Sequence, residues 1–312
     1  VSGVTTSPSG EQWTLRDGRQ EATIVEVGGG LRTYRVDGTD VVAGYGDDEV
    51  CRAGRGQVLM PWPNRIRDGK YTFDGSDLQL GLSEPLLHNA SHGLVRWATW
   101  QLHWHADDWS ALTVRTRLHP QPGWDATLDL SVNYVLEPRG LVVSVHASNV
   151  GARSAPFGFG AHPYIALGDT PLADVELTIP AAVEVLVDEQ LVPTGTAAVR
   201  PEVDFRTRRP LGATALDTAF TELTRTRADG GWEVVVGGLE TGDVGVWGNE
   251  ALDWAQVFTA KGKDTGVDGV RGIAVEPMSC PANAFNTGDG LVVLAPGDSW
   301  SARWGIEPAA LS

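Results

Sequence analysis

Only two cysteines, Cys51 and Cys280, occur among the 312 residues. Neither their number nor their spacing makes a disulfide framework or a zinc cluster; a single bridge stays open, and the count fits a reducing compartment such as the cytoplasm. Basic residues are scarce too. Twenty-four Lys and Arg stand against 40 Asp and Glu, a formal net charge of −16, which repels nucleic acid and anionic membrane surfaces and argues against both as partners. No stretch approaches the ~18 uninterrupted apolar residues of a membrane-spanning helix. The segment from Val1 to Gly10 has neither the basic start nor the apolar run of a signal peptide. Helical periodicity is nearly missing as well.

Glycine and proline are plentiful, 38 and 18 residues, and they separate short runs rich in Val, Leu, Thr and Trp with period-two alternation. This pattern predicts strands over Leu112–Leu118, Ala126–Leu136, Leu141–Asn149, Val175–Ile179, Trp232–Val236 and Leu291–Leu294. From Thr127 to Leu136 polar and apolar residues alternate, so one face packs on a core and the other meets water. Many such strands imply an all-β chain of stacked antiparallel sheets. A hydrophobic content of 42% with 21% charged residues suits a globular protein that buries a large core. No repeat or linker divides residues 1–312, which read as one domain. The patch Arg206–Arg209 reads as a surface loop.

Four clusters gather reactive residues among glycines and prolines, where strand ends and loops point side chains into clefts. In Pro61-Trp62-Pro63-Asn64-Arg65-Ile66, two prolines stiffen a backbone that presents an indole, an amide and a guanidinium together. Such a mixture suits a sugar, with donors for hydroxyls and a flat apolar face for ring C–H groups; a rigid turn with a packed Trp is the other reading. Asn89-Ala90-Ser91-His92-Gly93 and Gly158-Phe159-Gly160-Ala161-His162-Pro163-Tyr164 each set a histidine beside small or rigid residues. In Gly272-Ile273-Ala274-Val275-Glu276-Pro277-Met278 a carboxylate ends an apolar run that reads as a buried strand. It is either a satisfied ion pair or a general base at the edge of a core.

Taken in order, these motifs, with Asp217 and Phe220 and the late stretch Pro281 to Gly288, resemble the aldose 1-epimerase (galactose mutarotase) family from about Thr14 to Glu307. The resemblance implies a large antiparallel β supersandwich of the galactose-mutarotase type. It implies a small-molecule sugar as substrate, no cofactor and no metal. By the same resemblance His162 is the general acid at the ring oxygen and Glu276 the general base at the anomeric hydroxyl. Asn64, Arg65, His92, Asp217 and Gln256 hold the sugar. With reference pKa values of about 4.3 for Glu and about 6.5 for His, a carboxylate base stands ready near neutral pH and an imidazolium acid is accessible if acidic neighbours favour it.

Three other functions are compatible with parts of the pattern. Arg52, Arg55 and Arg67, near the first motif, could hold the phosphate of a hexose 6-phosphate. Twelve tryptophans on a β-sandwich suit a noncatalytic sugar-binding protein. His92, His162 and Glu276 could make a two-His-one-carboxylate metal site. The pair His103 and His105 shares one face of a predicted strand, where Trp100, Trp104 and Trp109 favour packing over metal binding.

Overall fold

The computed structural model describes residues 6–259 and 270–311. Period-two alternation produces strands where it is clearest. In Leu128–Glu137 the residues Leu128, Leu130, Val132, Tyr134 and Leu136 are buried and those between them are more exposed. This strand pairs antiparallel with Gly140–Asn149 along its whole length, Leu128 opposite Asn149 through Glu137 opposite Gly140. The other predicted strands form with ends shifted by one or two residues, as Ala111–Leu118, Glu176–Thr178, Trp232–Gly237 and Val292–Leu294. Only the end of the arginine patch departs from a loop, since Arg209–Pro210 pairs with Glu176–Thr178.

Two large antiparallel sheets carry the architecture. The first has nine strands in the order Gln101–His105, Ala111–Leu118, Leu128–Glu137, Gly140–Asn149, Ser299–Pro308, Val244–Gly248, Trp232–Gly237, Glu176–Thr178 and Arg209–Pro210. The second runs Pro193–Ala198, Ala181–Val187, Asp217–Leu223, Trp254–Thr259, Gly272–Met278, Gly160–Ala161 and Val58–Leu59, with Tyr164–Ala166 also paired to Gly272–Met278. A four-stranded sheet at the start of the chain, from Gln12–Asp17 to Thr39–Asp40, contributes Trp13, Leu15 and Ile24 to the same core. One continuous hydrophobic core joins Val132, Val143 and Trp304 of the first sheet with Phe220, Val257 and Val275 of the second. This is the β supersandwich that the sequence predicts. Among the described residues the one α-helix is a single turn, Ala284–Thr287, and no helix is long and apolar enough to cross a membrane.

The second sheet positions the chemistry. Every residue of Gly272–Met278 is buried, because both of its faces are covered. Ile273 and Val275 face the main core, while Ala274, Glu276 and Met278 face the other way. Register then decides the neighbours: Gln256 lies opposite Glu276, and Asp217 lies opposite Phe258 one strand further on. On the opposite side Gly160 pairs with Met278 and Tyr164 with Ala274, so the two residues midway, His162 and Glu276, face each other.

A small two-stranded piece closes over this face. Arg65–Arg67 pairs with Asn89–Ser91, and Asn64 and His92 at its end both take positive φ, 54° and 62°. Their backbones lock together, the His92 N–H donating to the Asn64 carbonyl at 2.8 Å. Gly93 makes the turn possible: its φ is 74°, and a Cβ there would lie 2.0 Å from the Met60 carbonyl oxygen. Gly93→Ala is therefore expected to destabilise the protein by roughly 2–3 kcal/mol, read as a lower urea midpoint.

Candidate active site

Asn64, Arg65, His92, His162, Asp217, Gln256 and Glu276 all line one cavity of about 360 Å³. Sequence places them over more than 200 positions; the two sheet registers and the short hairpin bring them together. The volume suits a small ligand such as a monosaccharide.

At its floor His162 Nε2 lies 3.3 Å from Glu276 Oε1. Both residues are almost wholly buried, 6% and 3% exposed. Burial penalises charge on each of them. It pushes the His162 pKa down to about 4, with Arg96 and Arg65 adding to the effect. It pushes Glu276 well above the usual carboxylate range, reinforced by the charge of Asp217 and opposed by Arg65. The sequence-based expectation of a ready carboxylate beside an imidazolium favoured by acidic neighbours is thus modified. Buried side by side, the pair favours sharing one proton without net charge. His162 Nδ1 and Glu276 Oε2 are buried without a side-chain or backbone partner among the described residues, which adds to the cost of charging either group.

The walls form a directed chain of hydrogen bonds. Glu84 accepts two bonds from Arg65, from Nε at 2.7 Å and from Nη2 at 2.9 Å. Arg65 Nη1 donates to Asn64 Oδ1 at 3.2 Å, Asn64 Nδ2 donates to Gln256 Oε1 at 3.4 Å, and Gln256 Nε2 donates to Asp217 Oδ1 at 2.6 Å. Each amide's orientation is set by its neighbours. His92 Nδ1 accepts from the Asn64 N–H at 3.2 Å, which leaves the proton of the neutral ring on Nε2. Burial and the nearby His162 hold the His92 pKa well below its ordinary value, so the ring is a neutral donor. His162 is packed as well as paired, stacking on Tyr164 with ring centroids 5.1 Å apart and meeting His92 edge-on at 5.4 Å.

Three wall residues were not legible in the sequence: Glu84, Arg96 and Trp97. Glu84 sits in a stretch with no motif, and the partner it supplies to Arg65 lies nineteen positions away. Arg96 and Trp97 follow the His92-Gly93 turn closely, which is the one signal that could have drawn attention to them. The arginines considered for phosphate go elsewhere. Arg67 pairs with Asp188, Arg55 donates to the Gly44 carbonyl and covers Tyr45, and neither they nor Arg52 line the cavity. His105 stacks on Trp109 with centroids 4.0 Å apart. Among the described residues no three His, Cys, Asp or Glu side chains gather as metal ligands. Cys51 and Cys280 are free and buried, and burial pushes the Cys280 thiol up to about 12, far from a nucleophile's range.

Comparison with known proteins follows the same geometry. The family model described as aldose 1-epimerase matches residues 11–307. The chain is 33% identical over 292 residues to an uncharacterized protein designated YihR of Escherichia coli (strain K12), covering 93% of this chain and 90% of that one. It is 29% identical over 222 residues to galactose mutarotase of Rattus norvegicus, covering 65% of this chain and 63% of the relative. Among solved structures, a galactose mutarotase-like protein from Clostridium acetobutylicum superposes with a TM-score of 0.82 at 18% identity, over 95% of this chain and 94% of that one. With the family model spanning nearly its whole length, the chain belongs to the aldose 1-epimerase family.

Proposed function

We propose that the protein interconverts the α and β anomers of an aldohexose by acid–base ring opening and reclosure, with His162 and Glu276 moving the protons. The observation that carries this reading is the buried 3.3 Å His162–Glu276 contact at the floor of a cavity walled by sugar-compatible donors and acceptors. Opening a pyranose requires a proton to leave the anomeric oxygen O1 while another arrives at the ring oxygen O5. From the tautomer of the singly protonated pair in which the proton sits on His162, Glu276 takes the O1 proton, the C1–O5 bond breaks as the C1=O1 bond forms, and O5 takes its proton from the His162 imidazolium. Rotation about C1–C2 then presents the other aldehyde face, and the reverse transfers close the ring as the opposite anomer. A neutral sugar and all its protons are conserved, so no redox partner enters.

Burial acts on the steps in a definite direction. Ring opening turns a carboxylate and an imidazolium into a carboxylic acid and a neutral imidazole. A dry environment that disfavours charge on both groups therefore lowers the energy of the state holding the open-chain aldehyde. Arg65, fixed by Glu84, and neutral His92 donate to the sugar and hold the ring while charge moves. Gln256, Asn64 and Asp217 offer the matching acceptors and donors.

Glu276→Gln and His162→Asn are each expected to lower catalysed relaxation of optical rotation by about 10³-fold or more, since each removes one half of a concerted transfer. Near-normal rates in either variant, or sugar binding by the wild type without acceleration, would remove the assignment in favour of a binding protein. A pH profile offers an independent check. The pair holds one proton between the depressed His162 value and the elevated Glu276 value, and these macroscopic steps belong to both groups. Below about pH 4 a second proton binds and the base is lost; above the raised carboxyl value the shared proton leaves and the acid is lost. Accordingly kcat/KM should fall on the acid side near pH 4 and on the alkaline side only beyond the ordinary carboxylate range.

A further inference from the structure

A monosaccharide has two kinds of surface, hydroxyl edges and C–H faces. The wall chain from Arg65 through Asn64 and Gln256 to Asp217 suits the edges; a face calls for an aromatic ring laid against it. The sequence offers the indole of Trp62 for that purpose, and the fold withdraws it. Trp62 is 2% exposed, donates its Nε1 proton to the Ala90 carbonyl at 3.3 Å and packs edge-on against Phe285 in the core. It does not line the cavity. Of the rings that do, Tyr164 is stacked on His162, and Phe258 meets Tyr164 edge-on with centroids 6.5 Å apart, so each already has an aromatic partner. The cavity's one tryptophan is Trp97. It is 52% exposed, and the Arg96 guanidinium lies over its ring, 5.7 Å from the centroid.

The backbone holds this indole still. The Leu94 N–H donates to the Met60 carbonyl at 2.7 Å, and the Ala98 N–H donates to the Val95 carbonyl at 3.0 Å, closing a turn with Arg96 and Trp97 at its apex. The Arg96 carbonyl accepts from Gln57 Nε2 at 3.0 Å, so the peptide groups on both sides of Trp97 are bonded. Gly28 fits beneath the turn because it has no side chain: a Cβ there would lie 2.5 Å from the Arg96 carbonyl oxygen. An indole with two side-chain torsions on a fixed backbone loses little freedom when it takes up a ligand. Depth separates it from the proton-transfer pair, since His162 and Glu276 at the floor are almost wholly buried and Trp97 is half open to solvent.

We infer that Trp97 binds the substrate, its indole forming the platform for a C–H face of the sugar while His162 and Glu276 act on the anomeric centre at the floor. The inference rests on the isomerase reading. Anomer exchange followed by NMR, with the enzyme-free rate subtracted, on glucose, galactose and mannose identifies the sugar turned over fastest. Inhibition by the 1,5-anhydro analogue of that sugar, whose ring cannot open, reports binding without turnover. Trp97→Ala should raise both KM and the inhibition constant at least about fivefold, which is what about 40 Å² of apolar contact is worth, with kcat within about twofold of wild type. Trp97→Phe keeps a ring and should hold both constants within about twofold. Trp104→Ala removes an indole just as exposed, 51%, on the edge strand Gln101–His105 outside the cavity, and should move neither. Both constants are independent of how much of a variant is folded. Unchanged constants in Trp97→Ala, an equal rise in Trp104→Ala, a Trp97→Phe variant no better than Trp97→Ala, or a fall in kcat with both constants kept would overturn the proposal and leave the isomerase reading standing. No acceleration of any of the three sugars by the wild type would overturn the isomerase reading itself.

Discussion

The strand Gly272–Met278 is the element on which the site depends, through its hydrogen-bonded register with neighbours on both sides. On one side the ladder sets Glu276 against Gln256. On the other, the interrupted pairing with Gly160–Ala161 and Tyr164–Ala166 leaves His162 facing Glu276. A slip of one residue in either ladder would turn Glu276 into the hydrophobic core and Val275 into the cavity. The apolar residues that hold the register, Ile273 and Val275 against Val257 and Phe220, therefore position the candidate site without touching the cavity.

Electrostatics at the site follow from depth and pairing. His162 and Glu276 are buried with few partners, which disfavours charge on both. The surrounding polar groups are instead linked to one another, in a chain of hydrogen bonds from Glu84 through Arg65, Asn64 and Gln256 to Asp217. Wall and floor thus have different tasks, a preorganised frame around two groups free to exchange protons.

Strands with strict alternation, such as Leu128–Glu137, could be read from the sequence almost to the residue, because one side of each strand is solvated and the pattern is complete. Seven of the residues lining the cavity were legible as parts of an ordered set of motifs, most of them marked by an unusual local composition of glycine, proline, histidine or tryptophan. The pairing of Arg65 with Glu84 was not, since it joins a strand residue to a segment nineteen positions on that carries no motif. The protonation of His162 and Glu276 was also out of reach. Reference pKa values describe solvated groups, and only the three-dimensional burial of both residues reverses which of them tends to carry the proton.

The ends of the two large sheets have a consequence for how the protein behaves in a crowded solution. Each outermost strand carries a feature that spoils it as a template. Arg209–Pro210 and Val58–Leu59 are two residues long, and the first of these includes a proline. Pro193–Ala198 begins with a proline and meets its neighbour through a register shift between Leu186 and Val187. Gln101–His105 has a shift of its own between Leu102 and Trp104. A foreign strand arriving at any of these edges would find too few evenly spaced donors and acceptors to zip along. A chain with this much exposed ladder potential is thereby kept from polymerising edge to edge into fibrils.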